Sequence, residues 1–96
     1  MENSAIETGS KILKAMGNKK RLQILYALWK NEKNVGELED VVGLSQSALS
    51  QHLAVLRQSG VVKTRRQAQT IYYSIKNAVV LNILGILDKY YNQHYK

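Results

Sequence analysis

The chain has 96 residues, 45% of them hydrophobic and 22% charged, with no proline and no cysteine. A chain of this length forms one domain at most, and the lack of cysteine excludes disulfides, thiolate metal sites and thiol redox sensing within it. Its apolar stretches are too short to span a membrane, and an opening segment with Glu2 and Glu7 is not a signal peptide, so we expect a cytoplasmic protein without a membrane partner.

The formal net charge of +7 is concentrated in the second half of the chain. Residues 1–40 hold 7 basic and 6 acidic side chains, whereas residues 41–96 hold 7 basic side chains and a single acidic one, Asp88. A phosphate backbone can approach the segment 41–76 without repulsion from a local acid. The distribution fits an anionic partner such as nucleic acid, and it also fits a basic surface that only meets solvent.

Three glycines divide the first 60 residues into four predicted helices. Gly17, Gly43 and Gly60 each follow a run with helical apolar periodicity, where a left-handed C-terminal cap is common. The first two helices are predicted over about residues 4–16 and 19–31, each with an apolar face that contacts the core.

A short third helix and a tight turn precede a longer fourth helix. Asn34 and Glu37 have the spacing of a capping box for the third helix, and Ser45 is a good N-cap for a fourth helix over residues 45–59. One face of the fourth helix is apolar, and the other is polar and nearly uncharged. Gln and Ser side chains bond base edges in the major groove, so a short helix, a turn and such a face favour a recognition helix over a solvated surface helix. The predicted DNA contacts on this helix are Ser45, Gln46, Ser47, Ser50, Gln51 and Arg57.

Beyond Gly60 the apolar pattern alternates with a period of two and predicts a hairpin over residues 61–75. We expect strands at 61–64 and 71–75 and a loop between them. A hairpin in this position is a wing, whose tip reaches the DNA backbone or a minor groove. The loop lacks glycine, so we expect Ala68 in an ordinary turn conformation, and the strand register stays open. The predicted wing contacts are Lys63, Arg65, Arg66, Gln67 and Gln69.

Asn77 is a candidate N-cap for a last helix over about residues 77–95, whose apolar face is wide for a terminal element. This helix and the first one would bury that face by pairing across a two-fold axis, which presents two recognition helices to successive major grooves. The alternative is packing within one chain. The predicted interface residues are Ile6, Leu13, Val80, Ile83, Leu84, Leu87, Tyr90 and Tyr91. The expected fold is mainly α with a small β-hairpin: a homodimeric winged helix-turn-helix in the order α-α-α-α-β-β-α, formed by residues 1–96 as a single domain.

Several stretches occur together and in order: residues 15–18, 21–25, 35–38, 44–53, 56–62 and the wing segment 67–73. With these stretches the chain resembles the ArsR (SmtB-type) bacterial regulators, and its wing is similar to those of the HlyU-like and BigR-like branch. The resemblance spans nearly the whole chain. It implies a homodimer that binds a palindromic operator in double-stranded DNA and regulates transcription, usually as a repressor.

Regulators of this family are usually released from DNA by metals or oxidants, and here the chain departs from them. Tyr26 and Asn92 stand at the positions that correspond to the cysteines of the thiol-sensing branch. The third helix lacks the cysteines of metal-sensing relatives. Asp88 and His94 on the last helix are about 240° apart around its axis, so they cannot converge on one metal within a chain. We therefore expect no metal and no cofactor, and the effector stays open.

The histidines, the tyrosines and the overall composition bear on functions other than sequence-specific DNA recognition. His52 fits packing in the helix-turn-helix core better than phosphate contact or pH sensing, and the tyrosines at 72, 73, 90, 91 and 95 fit the core or an interface. An enzyme is excluded, since the chain has no glycine-rich phosphate loop and neither His52 nor His94 has an acidic partner in sequence. The remaining alternative is an architectural protein that binds DNA without base selectivity.

Overall fold

The structure, a computed structural model, describes residues 1–94 and has five helices and three short strands within that range. The elements in chain order are α1 (Asn3–Met16), α2 (Lys19–Leu28), β1 (Lys33–Asn34), α3 (Val35–Val42), α4 (Gln46–Gln58), β2 (Val62–Gln67), β3 (Thr70–Ile75) and α5 (Ala78–His94). The strands form one antiparallel sheet in the order β1-β3-β2. This confirms the winged helix-turn-helix fold. The last predicted helix was drawn to residue 95, and Tyr95 lies outside the described residues.

Polar side chains fix the starts of the later helices, as the sequence predicted. The Asn34 side chain accepts the Glu37 backbone N–H at 2.9 Å, and the Glu37 carboxylate accepts the Asn34 N–H at 2.9 Å, which completes the capping box. Ser45 Oγ accepts the Ala48 backbone N–H at 3.2 Å, and Asn77 Oδ1 accepts a backbone N–H of α5 at 3.0 Å. Each cap satisfies a donor that the first turn of a helix leaves unpaired.

Two of the three dividing glycines adopt the expected left-handed conformation. Gly43 has φ of 71° and Gly60 has φ of 73°. Residues with a Cβ rarely adopt these backbone angles. Gly17 is different, because its φ is −79°. Its N–H still donates to the Leu13 carbonyl at 2.9 Å, and a Cβ at this position would lie 3.2 Å from that oxygen. The prediction of a left-handed cap at Gly17 was therefore wrong, although a glycine suits the site for a steric reason.

The core consists of apolar side chains from all five helices and the start of the wing. Its buried members are Ala15, Met16, Ile24, Leu25, Leu28, Leu38, Val42, Leu49, Leu53, Leu56, Val61, Val62, Val80 and Leu84. Three of them, Leu49, Leu53 and Leu56, are spaced by four and three residues along the inner side of α4. Burying a leucine side chain contributes about 1.5–3 kcal/mol, so these three hold α4 against the body and leave its opposite side in solvent.

The wing is longer and its turn is tighter than the sequence predicted. β2 and β3 pair along their full lengths, so the turn contains only Ala68 and Gln69. Arg65 and Arg66, which were expected in a loop, lie within β2. Ala68 has φ of 56°, so the prediction of an ordinary turn conformation was wrong. Two-residue hairpin turns need a positive φ because only that twist matches the twist of the paired strands.

Ala68→Gly is expected to raise the free energy of unfolding by about 0.5–1 kcal/mol, because the Cβ penalty of the left-handed region that it removes exceeds the extra backbone entropy that glycine loses on folding. Urea denaturation measures the change. Ala54→Gly, at an exposed position in α4, is the matched control and is expected to lower stability by about 1 kcal/mol. Equal losses at both positions would contradict the turn geometry.

A third strand lies beside the wing, which the sequence did not predict. β1 pairs with β3, with Lys33 opposite Tyr73 and Asn34 opposite Tyr72. A strand of two residues is too short to show an alternating apolar pattern in the sequence. α2 ends at Leu28 rather than near residue 31, and β1 begins at Lys33. The wing is thereby joined to the body of the domain along one edge.

Candidate nucleic-acid interface

The outer side of α4 carries a continuous polar surface. We call Gln46, Ser47, Ser50, Gln51 and Arg57 the polar face, and all five side chains are exposed. The left-handed Gly43 ends α3, and the Ser45 cap starts α4 two residues later. The polar face therefore begins at a helix N-terminus, where backbone N–H groups and the helix dipole favour an anion such as phosphate.

The two sides of the wing differ in what they face. Side chains alternate along β2, so Val62, Thr64 and Arg66 share one side, and Lys63, Arg65 and Gln67 share the other. Val62 is 2% exposed, which places the first side toward the body. A groove separates this side of the sheet from α4, and its walls include Ser50, Ala54, Arg57, Gln58 and Tyr73. Arg66 thus lies on the side of the wing that continues toward the polar face.

Arg65 lies on the outer side of the wing and is bound to an acidic side chain. Its Nε donates to one carboxylate oxygen of Glu32 at 3.1 Å and its Nη2 donates to the other at 2.5 Å. Its Nη1 donates to Gln67 Oε1 at 3.0 Å, and the guanidinium lies 4.6 Å from the ring centre of Tyr72. The hydrogen bond and positive charge of Arg65 lower the pKa of the Glu32 carboxyl group. Sequence reasoning missed Glu32, since only strand pairing brings it close.

A second arginine, Arg21 of α2, contacts both α1 and α4. Arg21 Nε donates to the Ala15 carbonyl at 2.6 Å and its Nη2 to the Lys14 carbonyl at 3.3 Å, at the C-terminal end of α1. Its Nη1 lies 3.4 Å from His52 Nδ1 on α4. His52 is half-buried, so this contact agrees with the structural role that the sequence predicted for it.

Tyr26 and Asn92, the two positions at which the resemblance implies cysteines in the thiol-sensing branch, both lie close to Asp88 of α5. The Tyr26 hydroxyl donates to the Leu84 carbonyl of α5 at 3.3 Å, and burial and the nearby Asp88 charge raise the pKa of Tyr26. Asn92 Nδ2 donates to Asp88 Oδ2 at 3.4 Å. His94 stacks on the ring of Tyr90, and the two ring centres are 4.2 Å apart. Within residues 1–94, no three His, Cys, Asp or Glu side chains are placed to hold a metal ion together.

The predicted interface residues divide into two groups. Val80 and Leu84 are fully buried in the core of their own chain, so the prediction that they form a dimer interface was wrong. Ile83 is half-buried against the same core. The others are exposed on α1 and α5, at 51% for Ile6, 58% for Leu13 and 41% for Leu87, with Tyr90 and Tyr91 at about half.

The most exposed apolar side chain of α5 was not predicted. Ile86 is 67% exposed and lies three residues from Ile83 and four residues from Tyr90, on one side of the helix. We call Ile6, Leu13, Ile86 and Leu87 the apolar face. The sequence signal was present, because Ile86 shares the helical spacing of its neighbours.

Among the helices of residues 1–94, none combines the length and the apolar composition that a membrane-spanning helix needs.

Sequence comparisons place the chain among bacterial regulators. The model of the "Bacterial regulatory protein, arsR family" matches residues 18–64, from the start of α2 into β2. The chain is 51% identical over 82 residues to the transcriptional activator HlyU of Vibrio cholerae, which covers 85% of this chain and 76% of HlyU. It is 56% identical over 90 residues to the nodulation protein NolR of Rhizobium meliloti, covering 94% and 72% of the two chains.

Comparison with solved structures gives the same picture. HlyU from Vibrio cholerae superposes with a TM-score of 0.88 at 47% identity, over 95% of this chain and 98% of that one. The homodimeric winged helix-turn-helix DNA-binding domain of Mb0332 from Mycobacterium bovis superposes with a TM-score of 0.84 at 24% identity, over 100% and 95%. The second likeness is one of fold alone.

Proposed function

The chain belongs to the ArsR family of bacterial regulatory proteins, and from that premise we propose that it binds a palindromic operator as a homodimer. Members of this family are DNA-binding transcriptional regulators rather than enzymes. The observation that carries the proposal is the polar face of α4, which is exposed and almost uncharged while the other side of the helix is buried in the core. A helix of this kind fits a major groove as a unit.

Within the proposed complex, the polar residues of α4 read base edges. Gln46 and Gln51 can bond adenine in a bidentate manner, and Ser47 and Ser50 bond donors or acceptors. Phosphates are contacted by the N-terminus of α4 at Ser45 and by basic and amide side chains that are exposed on α4 and the wing. These phosphate contacts are Arg57, Lys63, Arg66, Gln67 and Gln69. Arg65 is assigned a different role below.

The dimer forms through α1 and α5, which carry the apolar face. Large apolar side chains that are more than 40% exposed at Ile6, Leu13, Ile86 and Leu87 favour burial against a second copy of the chain. A two-fold axis through this face also repeats the recognition helix, as a palindromic operator requires. We propose repression as the output, because a dimer bound across a promoter blocks polymerase. A reporter gene whose promoter contains the operator shows directly whether the protein represses or activates transcription.

Operator selection from genomic fragments, followed by competition, tests the proposal. The protein is expected to stay bound to a selected palindromic DNA in the presence of excess unrelated duplex DNA. Equal displacement by any duplex would favour the architectural alternative, which the basic wing also fits.

Gln51→Ala is expected to reduce discrimination at one base pair of each half-site by about 5- to 150-fold, the loss of one bidentate base contact. Titration of operator variants that differ at single positions measures this change. Gln23→Ala, at an exposed position on α2, is the matched control and should leave base preference unaltered. Unchanged preference in the Gln51 variant would place this residue outside base readout.

A further inference from the structure

The contact between Arg65 and Glu32 spans the whole width of the sheet. Arg65 lies on β2 at one edge, Tyr72 lies on the central strand β3, and Glu32 directly precedes β1 at the other edge. Arg65 and Tyr72 are paired in register, so the guanidinium lies over the ring on its way to the carboxylate. The side chain therefore joins the wing to the segment that leads from α2 into the sheet.

The guanidinium of Arg65 uses all three of its nitrogens in this contact. Nε and Nη2 bond the two oxygens of Glu32, a bidentate geometry that fixes orientation as well as distance, and Nη1 bonds Gln67. A phosphate at this place would have to displace a carboxylate and would meet its negative charge. The site is thus poor for phosphate although it contains an arginine.

Arg66, the next residue, has the opposite environment. It lies on the other side of β2, it is exposed, and among residues 1–94 no carboxylate pairs with it. The two neighbouring arginines therefore differ in the role that each can take: Arg66 is available to an anion, and Arg65 is engaged within the protein.

A restraint of this kind matters because a hairpin is weakly held by itself. A two-stranded hairpin is marginally stable in water, and the tip of this wing extends beyond the buried core, with Arg65, Arg66 and Gln67 all exposed. An exposed ion pair contributes little to the stability of a whole domain. Its bidentate geometry can still favour one angle of the wing over others, because it joins the two edges of the sheet.

We propose that Glu32 and Arg65 are positioning residues that hold the wing at the angle that DNA binding requires, and that Arg65 does not contact phosphate. The proposal rests on the proposed function for its effect on DNA. It reverses the usual expectation for an acidic residue near a DNA surface, because removal of Glu32 should weaken binding rather than strengthen it.

The first test measures operator affinity as a function of salt concentration for Glu32→Gln, Arg65→Ala and Arg66→Ala. Glu32→Gln and Arg65→Ala are expected to weaken binding by a similar factor of about two to five, with an unaltered salt slope. Arg66→Ala is expected to lower the salt slope by about 1, as loss of a phosphate contact does. Tighter binding by Glu32→Gln, or a lower slope for Arg65→Ala, would overturn the proposal.

Exchange of the two charges gives a second test. The double variant Glu32→Arg/Arg65→Glu keeps the pair and reverses its direction, so operator affinity is expected to return to within about twofold of the original protein. If Arg65 contacts phosphate in the original protein, the double variant places a carboxylate next to the DNA backbone. Its operator affinity would then fall below that of Arg65→Ala.

Hydrogen exchange of the β2 and β3 amides in the free protein provides a readout without DNA. Faster exchange is expected in Glu32→Gln and Arg65→Ala and not in Arg66→Ala. This measurement separates the positioning role of the pair from the proposed function. If the original protein shows no operator selectivity, the proposed function fails. The exchange rates still decide whether Glu32 and Arg65 order the wing. Identical exchange in all three variants would contradict the positioning role.

Discussion

Ile86→Glu is expected to convert the protein to a monomer and to lower its operator affinity by about 10²- to 10⁴-fold, the factor lost when two linked binding events become one. Ile86 is 67% exposed in the single chain, so the substitution leaves the core of the protomer intact. In the proposed dimer the same position is buried, and an unpaired carboxylate there would lose its hydration without a compensating partner. Sedimentation velocity and operator titration measure the two effects.

Val41→Glu is the matched control for this experiment. Val41 is 60% exposed on α3, so it has the same chemistry and a similar exposure, but it lies on neither α1 nor α5. The control variant should sediment as a dimer. If Ile86→Glu also sediments as a dimer, with the original affinity, α5 is not the interface and the apolar face of α1 and α5 has another role.

The ends of α3 and α4 depend on a few neighbouring residues and were predictable from the sequence. The capping box at Asn34 and Glu37, the Ser45 cap and the left-handed Gly43 each act over three or four residues, and together they determine where α3 ends and α4 begins. The direction of the polar face follows from helical periodicity once those ends are known. The bounds of α4 were therefore predicted within one residue at each end.

Contacts that depend on the third strand and on the strand register were not predictable. Glu32 and Arg65 are 33 residues apart, and they meet because a strand of two residues adds to the edge of the hairpin. Neither residue has a local pattern that marks a partner. Charge alone made Arg65 and Arg66 equivalent, whereas the alternation of a strand sends their side chains to opposite sides of the sheet.

The apolar stripe of α5 shows a third kind of limit. Val80, Leu84 and Leu87 recur at spacings of four and three and look equivalent on a helical wheel. In the structure the first two are fully buried in their own chain and Leu87 is 41% exposed, because only the beginning of α5 packs over the body. Periodicity shows which side of a helix is apolar, and it does not show what covers that side.

Leu84→Ala and Leu87→Ala separate these two kinds of burial in one experiment. In the Ile86→Glu monomer, Leu84→Ala is expected to lower the free energy of unfolding by about 2–5 kcal/mol, because it leaves a cavity in a closed core. Leu87→Ala should cost less than about 1 kcal/mol in the same background, since its side chain already meets solvent. Urea denaturation measures both.

In the proposed dimer the size of the Leu87→Ala effect is expected to depend on protein concentration. Leu87→Ala would remove apolar surface only from the proposed interface, so its cost should appear as weaker association that added protein overcomes by mass action. The cost of Leu84→Ala is internal to each protomer, and raising the concentration does not remove it. Equal unfolding costs for the two variants in the monomer would contradict the division of α5 into a core segment and an interface segment, and would return Leu84 to the interface where its spacing alone had placed it.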